Sequence, residues 1–390
     1  MKPTYSCLLF VALVVSGTSR SLHAQVEKVA DGMAMQKARA VSVLSKGKQA
    51  YYDPKKWDLG ELPAYTPKEK ISGRIRLWGS NYITDGNLGQ YWEEAFRKFH
   101  PDVKFEYHMK TTSAAVPSLV FKAADVGMGR KITFQELQMF QRYNDYDPVE
   151  ISIATGSYDV TGWQPAFGIV VSKDNPLTKI TMKQLDGVFG AERLGGWEGT
   201  SWHPEWARGR EGNIRTWGQL GLTDEWANKP IVPYGLNARY HQATEISDRI
   251  LKGSDKWNES MRIYANYVTP DGKLSRSLND DLVKDRYGIA YVAAPTKKYL
   301  PPELKVLELA VDEGGPYYAY TMETLRNHTY PLYDEVYAYA DRKPGQPLDP
   351  KVREYLRFIV SREGQVEVQR DGKYLPLTVE LSKAQLKKLE

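Results

Sequence analysis

The chain of 390 residues carries 53 Lys and Arg against 48 Asp and Glu, a net charge of +5. That excess is too mild to call for nucleic acid or an anionic membrane as a partner, and one cysteine excludes a disulfide framework. No apolar run reaches the roughly 20 residues that a membrane-spanning helix needs, so no stable membrane insertion is expected.

Residues 1–24 have the order of a cleavable signal peptide: Lys2, the apolar run Cys7–Val15, then Leu22-His23-Ala24 as a small-residue cleavage site. The expectation is an exported, periplasmic protein from which the cysteine leaves with the signal. Residues 25–70 form an N-terminal extension, with mixed helical character over 28–48 and then a loop punctuated by Pro54, Pro63 and Pro67. Beyond it β and α signals alternate. Arg74–Trp78 is a strand ending at Gly79-Ser80, and Leu88, Trp92, Ala95, Phe96 and Phe99 fall at helical spacing. Val103, Phe105, Tyr107 and Met109 alternate as a second strand, and residues 115–124 suit a short helix before Asp125. Phe167–Val171 is a continuous apolar run, the signature of a buried parallel strand. Thr181-Met182-Lys183-Gln184 has capping-box form ahead of Leu185, Val188 and Phe189. Ile289–Val292 and Val306–Leu309 add strands, and Asp349-Pro350 caps a helix with the stripe Val352, Tyr355, Leu356, Ile359. Lys383, Lys387 and Lys388 are expected in a solvated tail. This alternation predicts α/β layers, and the length favours two domains.

For catalysis the residues offer little. The six histidines are scattered without metal-binding spacing, and no nucleophile elbow occurs. The pairs Asp280-Asp281 and Asp312-Glu313 are expected as solvated loop charges. A phosphohydrolase needs a metal or nucleophile beside its anion donors. The expectation is a binding protein rather than an enzyme, with no cofactor and no metal.

Several segments, in order, resemble the substrate-binding subunit of phosphate ABC transporters. They are Gly79-Ser80 after a strand, Ala124-Asp125-Val126-Gly127-Met128-Gly129-Arg130, and the run Ala166–Leu177 with its Asn175-Pro176 turn. Gln184–Phe189, Ile214–Gly221, Tyr287–Val292, Tyr330-Pro331-Leu332, Ser361–Gln365 and Gly372–Leu377 continue the series. The resemblance implies a type II periplasmic-binding-protein fold. Lobe 1 would comprise 71–155 and 290–380, lobe 2 would comprise 156–289, and two hinge strands would join them around a ligand cleft. It also implies hydrogen phosphate as ligand, delivered to an ABC permease, and a monomer without nucleic-acid partners. Such clefts close by hinge motion.

Anion capture without a metal needs converging N–H and O–H donors at helix starts and glycine-bearing turns. Ser80 and Thr84 are candidates after the first strand, the alternative being a helix cap. Ser113 in Thr111-Thr112-Ser113 follows the second strand, where an ordinary polar turn would look the same. Asp125 would accept the proton of hydrogen phosphate, since an ionised carboxylate only accepts; a capping or salt-bridging role is the other reading. One block departs from the family. Where a Y-G-R-N-S-x-S-G-T run is expected, the chain reads Tyr234-Gly235-Leu236-Asn237-Ala238-Arg239-Tyr240-His241-Gln242. Arg239, His241 and Gln242 are substitute donors, or the loop serves another anion, such as a phosphorylated metabolite. A further alternative is an interaction or sensory protein that keeps the fold without tight solute capture, with residues 25–70 and 193–213 as partner surfaces. A second departure, the insertion near 193–213, carries Trp197, Trp202 and Trp206 with Arg208 and Arg210. It suits either a flap pinned by its tryptophans or a loop closing over a larger ligand.

Overall fold

A computed structural model describes residues 40, 41, 43–238, 240–264 and 277–390. The signal segment and Arg239 lie outside them. Over residues 73–155 the chain forms β1 (Gly73–Gly79), α1 (Tyr82–Asp85), α2 (Leu88–Arg97), β2 (Val103–His108), α3 (Ala115–Val120), β3 (Val126–Gly129), α4 (Phe134–Asn144) and β4 (Val149–Thr155). The middle holds β5 (Phe167–Ser172), β6 (Lys179–Thr181), α5 (Met182–Phe189), the hairpin β7 (Gly196–Glu198) and β8 (Ser201–His203), β9 (Val232–Leu236), α6 (His241–Ile250) and β10 (Arg262–Tyr264). Then come α7 (Leu278–Val283), β11 (Gly288–Ala293), β12 (Leu304–Val306), β13 (Glu308–Ala310) and α8 (Met322–Arg326). The chain closes with β14 (Glu335–Ala340), α9 (Pro350–Val360), α10 (Arg362–Asp371) and α11 (Val379–Lys388).

Two five-stranded sheets make two lobes, with orders β2-β1-β3-β14-β4 and β10-β9-β11-β5-β12. In each, three strands are parallel and one neighbour is antiparallel: β14 against β3 and β4, β5 against β11 and β12. The antiparallel inserts are the strands the chain enters by crossing from the other lobe. Each sheet carries its own apolar core, one around Ile75, Trp92, Phe96 and Tyr355, the other around Ile169, Phe189, Trp217 and Ile246.

Four expectations are corrected. Phe167–Ser172 is wholly buried but antiparallel to both neighbours, because a continuous apolar run reports cover on both faces and not strand direction. The boundary expected at residue 290 falls inside β11, which joins the second sheet; the chain returns to the first only at β14. Val306–Leu309 is split at Leu307 into two strands of different sheets. The Lys-rich end is helix α11, whose lysines are exposed while Ser382, Gln385 and Leu389 are buried.

The crossings run side by side. Thr155 bridges Leu375, and the Gly156 N–H donates to the Asp334 carbonyl at 2.7 Å. Residues 43–71 pack onto this frame instead of standing apart. Val43, Leu59, Leu62, Tyr65 and Ile71 are buried, Tyr51 N–H donates to Gly372 O at 2.8 Å, and Tyr65 Oη donates to Glu354 at 2.7 Å.

Candidate functional site

Parallel strands present their carboxyl ends along one edge, and ligands of open α/β sheets gather there. In the first lobe that edge carries Ser80-Asn81 after β1, Thr111–Ser113 after β2 and Arg130 after β3. Gly79 makes the first turn possible. Its φ is +134°, and a Cβ there would lie 1.9 Å from the Met128 carbonyl oxygen, which accepts the Ser80 N–H at 2.8 Å. In the second lobe the end of β9 leads to Ala238, Tyr240 and His241, where α6 begins.

These edges face each other across a polar pocket of about 380 Å³. Its first-lobe wall is Asn81, Tyr82, Thr111–Ser113, Arg130 and Thr133; the second lobe gives Ala238, Tyr240, His241 and Thr244; Gln164 enters from a crossing segment. Among the described residues no carboxylate lines it. Its cation is Arg130, buried and bidentate to Glu136 at 2.8 and 3.0 Å. Burial works against that charge, but the Glu136 carboxylate outweighs it and pushes the Arg130 pKa up. Arg130 Nε is buried without a hydrogen-bond partner.

Beneath the pocket lies a carboxyl pair. Gln164 Nε2 donates to Glu245 at 3.0 Å, and Asp334, on the returning crossing, sits 3.8 Å from the Arg249 guanidinium. Burial raises the pKa of both acids; the Asp334 charge pushes Glu245 further up, and Glu335 does the same to Asp334. Through these contacts α6 is tied to both crossings.

The structure brings Ser113 and His241 into the pocket. Ser80 is buried just behind it, and Thr84 is exposed with its hydroxyl donating to Asn81 O at 3.2 Å. Gln242 sits next to His241 but outside the lining residues. Asp125 is not in the pocket. It precedes β3, five residues and about 16 Å of strand from Arg130, and accepts from Arg76 Nη2 at 2.8 Å, Nε at 3.2 Å and the backbone N–H at 2.8 Å. Burial would raise its pKa, yet these Arg76 contacts outweigh burial and hold it below the usual range. The salt-bridging reading therefore describes Asp125, with Arg76 as its partner. Sequence reasoning named Arg130 only as the end of the Ala124–Arg130 block, not as a ligand donor, and passed over Thr133, Gln164 and Thr244. The Thr133–Glu136 capping box was a visible signal for the first two turns of that wall. Asp280-Asp281 is helical, in the first turn of α7, with Asp281 accepting from Tyr264 Oη at 2.7 Å.

The insertion is fastened at its base. Arg193 chelates Asp186 at 2.6 and 2.7 Å, and Arg208 reaches the same carboxylate at 3.2 Å. His203 stacks on Trp206 with centroids 4.2 Å apart.

Comparison with known proteins shows the family. Residues 84–363 match the family model described as a PBP superfamily domain. The chain is 31% identical over 330 residues to the phosphate-binding protein PstS of Pseudomonas aeruginosa, covering 84% of this chain and 90% of that protein. Among solved structures it is similar to PstS from Borrelia burgdorferi (15% identity, TM-score 0.49, 80% of this chain and 100% of that one). A putative phosphate ABC transporter substrate-binding protein from Clostridium perfringens, with bound phosphate, is similar at 17% identity and TM-score 0.42, over 78% of this chain and 100% of that one.

Proposed function

Because the chain belongs to the PBP superfamily and, within it, to the family of the PstS phosphate-binding proteins, we propose that it captures inorganic phosphate for an ABC-type transporter. The observation that carries this reading is the meeting of Arg130 and Ser113 with His241 and Thr244 in one pocket between the lobes. An anion there gains a buried guanidinium, hydroxyl donors and the start of α6, whose dipole favours negative charge. In this reading Arg130 is the principal anion-binding cation and Ser113, Thr133, His241 and Thr244 supply donors. Ser80 positions the first turn, and Asp125 serves the fold. Export through residues 1–24, residence in the periplasm, a monomeric state and delivery to a membrane permease belong to the same proposal, as does the absence of turnover.

Equilibrium dialysis of the chain, refolded to remove carried-over ligand, against labelled phosphate tests it. Saturable binding of one phosphate per chain is the expected result. Retention no greater than that of a non-binding control protein would overturn it.

A further inference from the structure

Past Thr133 and Thr244 the polar pocket opens into a chamber of about 1110 Å³. Its walls include Phe134 from the first lobe with Trp197, Trp202 and Trp257 from the second. One edge of this chamber is already shut. The β7–β8 hairpin, fastened to the second lobe through Arg193 and Asp186, reaches α4 of the first. Trp197 meets Phe134 edge-on with centroids 5.3 Å apart, and Thr200 Oγ1 donates to Gln141 Oε1 at 2.9 Å. Between them Gly199 turns at φ +55°, where a Cβ would lie 3.0 Å from Leu137 Cδ2.

These contacts are at van der Waals distance, and packed protein surfaces resist further compression. Hinge closure therefore cannot bring the lobes nearer at this edge. The space between the hairpin and the polar pocket survives closure. A lone tetrahedral oxyanion fills only the polar end, whereas cavities of this size and aromatic lining suit organic ligands. The chemistry of the two linings sets the ligand's direction. Charges of both signs line the chamber, Glu192, Asp248 and Asp255 with Arg193, Arg208, Arg210 and Lys256, so they do not by themselves orient a ligand. The polar pocket gathers Arg130 with the hydroxyls of Ser113, Thr133 and Thr244 and suits an anionic end, while the tryptophan faces suit an uncharged one.

We infer that the site accepts phosphomonoesters, holding the phosphate group beside Arg130 and an aromatic or apolar organic group against Trp197 and Phe134. This rests on the phosphate reading above, since the same pocket holds the charged end.

Calorimetric titration of the full chain and of Trp197→Ala with phenyl phosphate and with inorganic phosphate tests it. In the parent chain phenyl phosphate binds at least as tightly as inorganic phosphate. In Trp197→Ala it weakens about three- to tenfold, the range of one aromatic contact, while inorganic phosphate stays within about twofold. Phosphate binding with no phenyl phosphate binding overturns the inference and leaves the phosphate reading standing. Equal weakening of both ligands in the variant also overturns it, because Trp197 would then act through lobe closure. Binding of neither overturns the phosphate reading, and the inference with it.

Discussion

Arg130 and Glu136 meet in two hydrogen bonds of 2.8 and 3.0 Å, and the same carboxylate accepts the Thr133 backbone N–H at 2.9 Å. One acid thus orients the cleft guanidinium and caps α4. Removing the guanidinium (Arg130→Ala) takes away a charge-assisted donor set and should weaken phosphate binding about 10- to 100-fold. Arg130→Lys should recover only part of that, since an ammonium cannot reproduce the two-pronged geometry. Titration of both variants decides; equal affinity in parent and Arg130→Ala would remove Arg130 from the site.

Asp125 is predicted to matter for stability and not for binding. Asp125→Ala should leave phosphate affinity within about twofold of the parent while costing about 1–2 kcal/mol in urea unfolding, discounted for the partial exposure of the pair. Its pKa is depressed in the folded chain. The stabilisation it contributes is therefore present above the unfolded value of about 3.9 and lost as pH falls through the folded value. Acid unfolding of the parent, but not of the variant, should show that loss. Abolished binding in Asp125→Ala would contradict this account.

Glu245 and Asp334 carry the opposite sign. Both pKa values are raised by burial, that of Asp334 to about 7, so the folded state holds protons that the unfolded state has released above pH about 4. The stability that protonation gives is then lost as pH rises from about 4, through about 7 for Asp334 and through the raised folded value of Glu245. Glu245→Gln, which keeps an oxygen for Gln164, should flatten that slope in thermal unfolding followed from pH 5 to pH 8. An unchanged slope would show that Glu245 does not take up a proton on folding.

How much of this was legible in the sequence depends on whether the determinant was local. The Gly79-Ser80 turn, the Thr181 capping box and the Asp349-Pro350 helix start are set within a few residues, and all three stand where expected. Strand direction is not local, so Phe167–Val171 was read as a strand but as a parallel one, whereas it is antiparallel to both neighbours. Asp125 was assigned by its motif, yet which end of β3 faces the cleft depends on register with β1. Arg130 was named only as the end of the Ala124–Arg130 block; only the fold shows that it borders the cleft with Glu136 as its partner. The proline-rich stretch after residue 50 gave no period to read, although Tyr65 is among the most committed residues of the first core.

That commitment is testable. Tyr65 Oη lies 2.7 Å from both Glu354 and His100, and Glu354 is fully buried beside Arg357. Tyr65→Phe should destabilise the chain by about 1–3 kcal/mol, the cost of leaving a buried acceptor short of a donor, with phosphate affinity unchanged. A smaller loss, within about 0.5 kcal/mol, would mean that residues 43–71 are an accessory to lobe 1 and not part of it.

The central claim is that a pocket built on Arg130 between two lobes captures phosphate. Isothermal titration of ligand-free chain with inorganic phosphate, beside Arg130→Ala, tests it most directly. The account predicts a saturable single-site isotherm for the parent, with micromolar or tighter affinity, and a severely weakened one for the variant. No heat from the parent, or identical isotherms for the two, would contradict it.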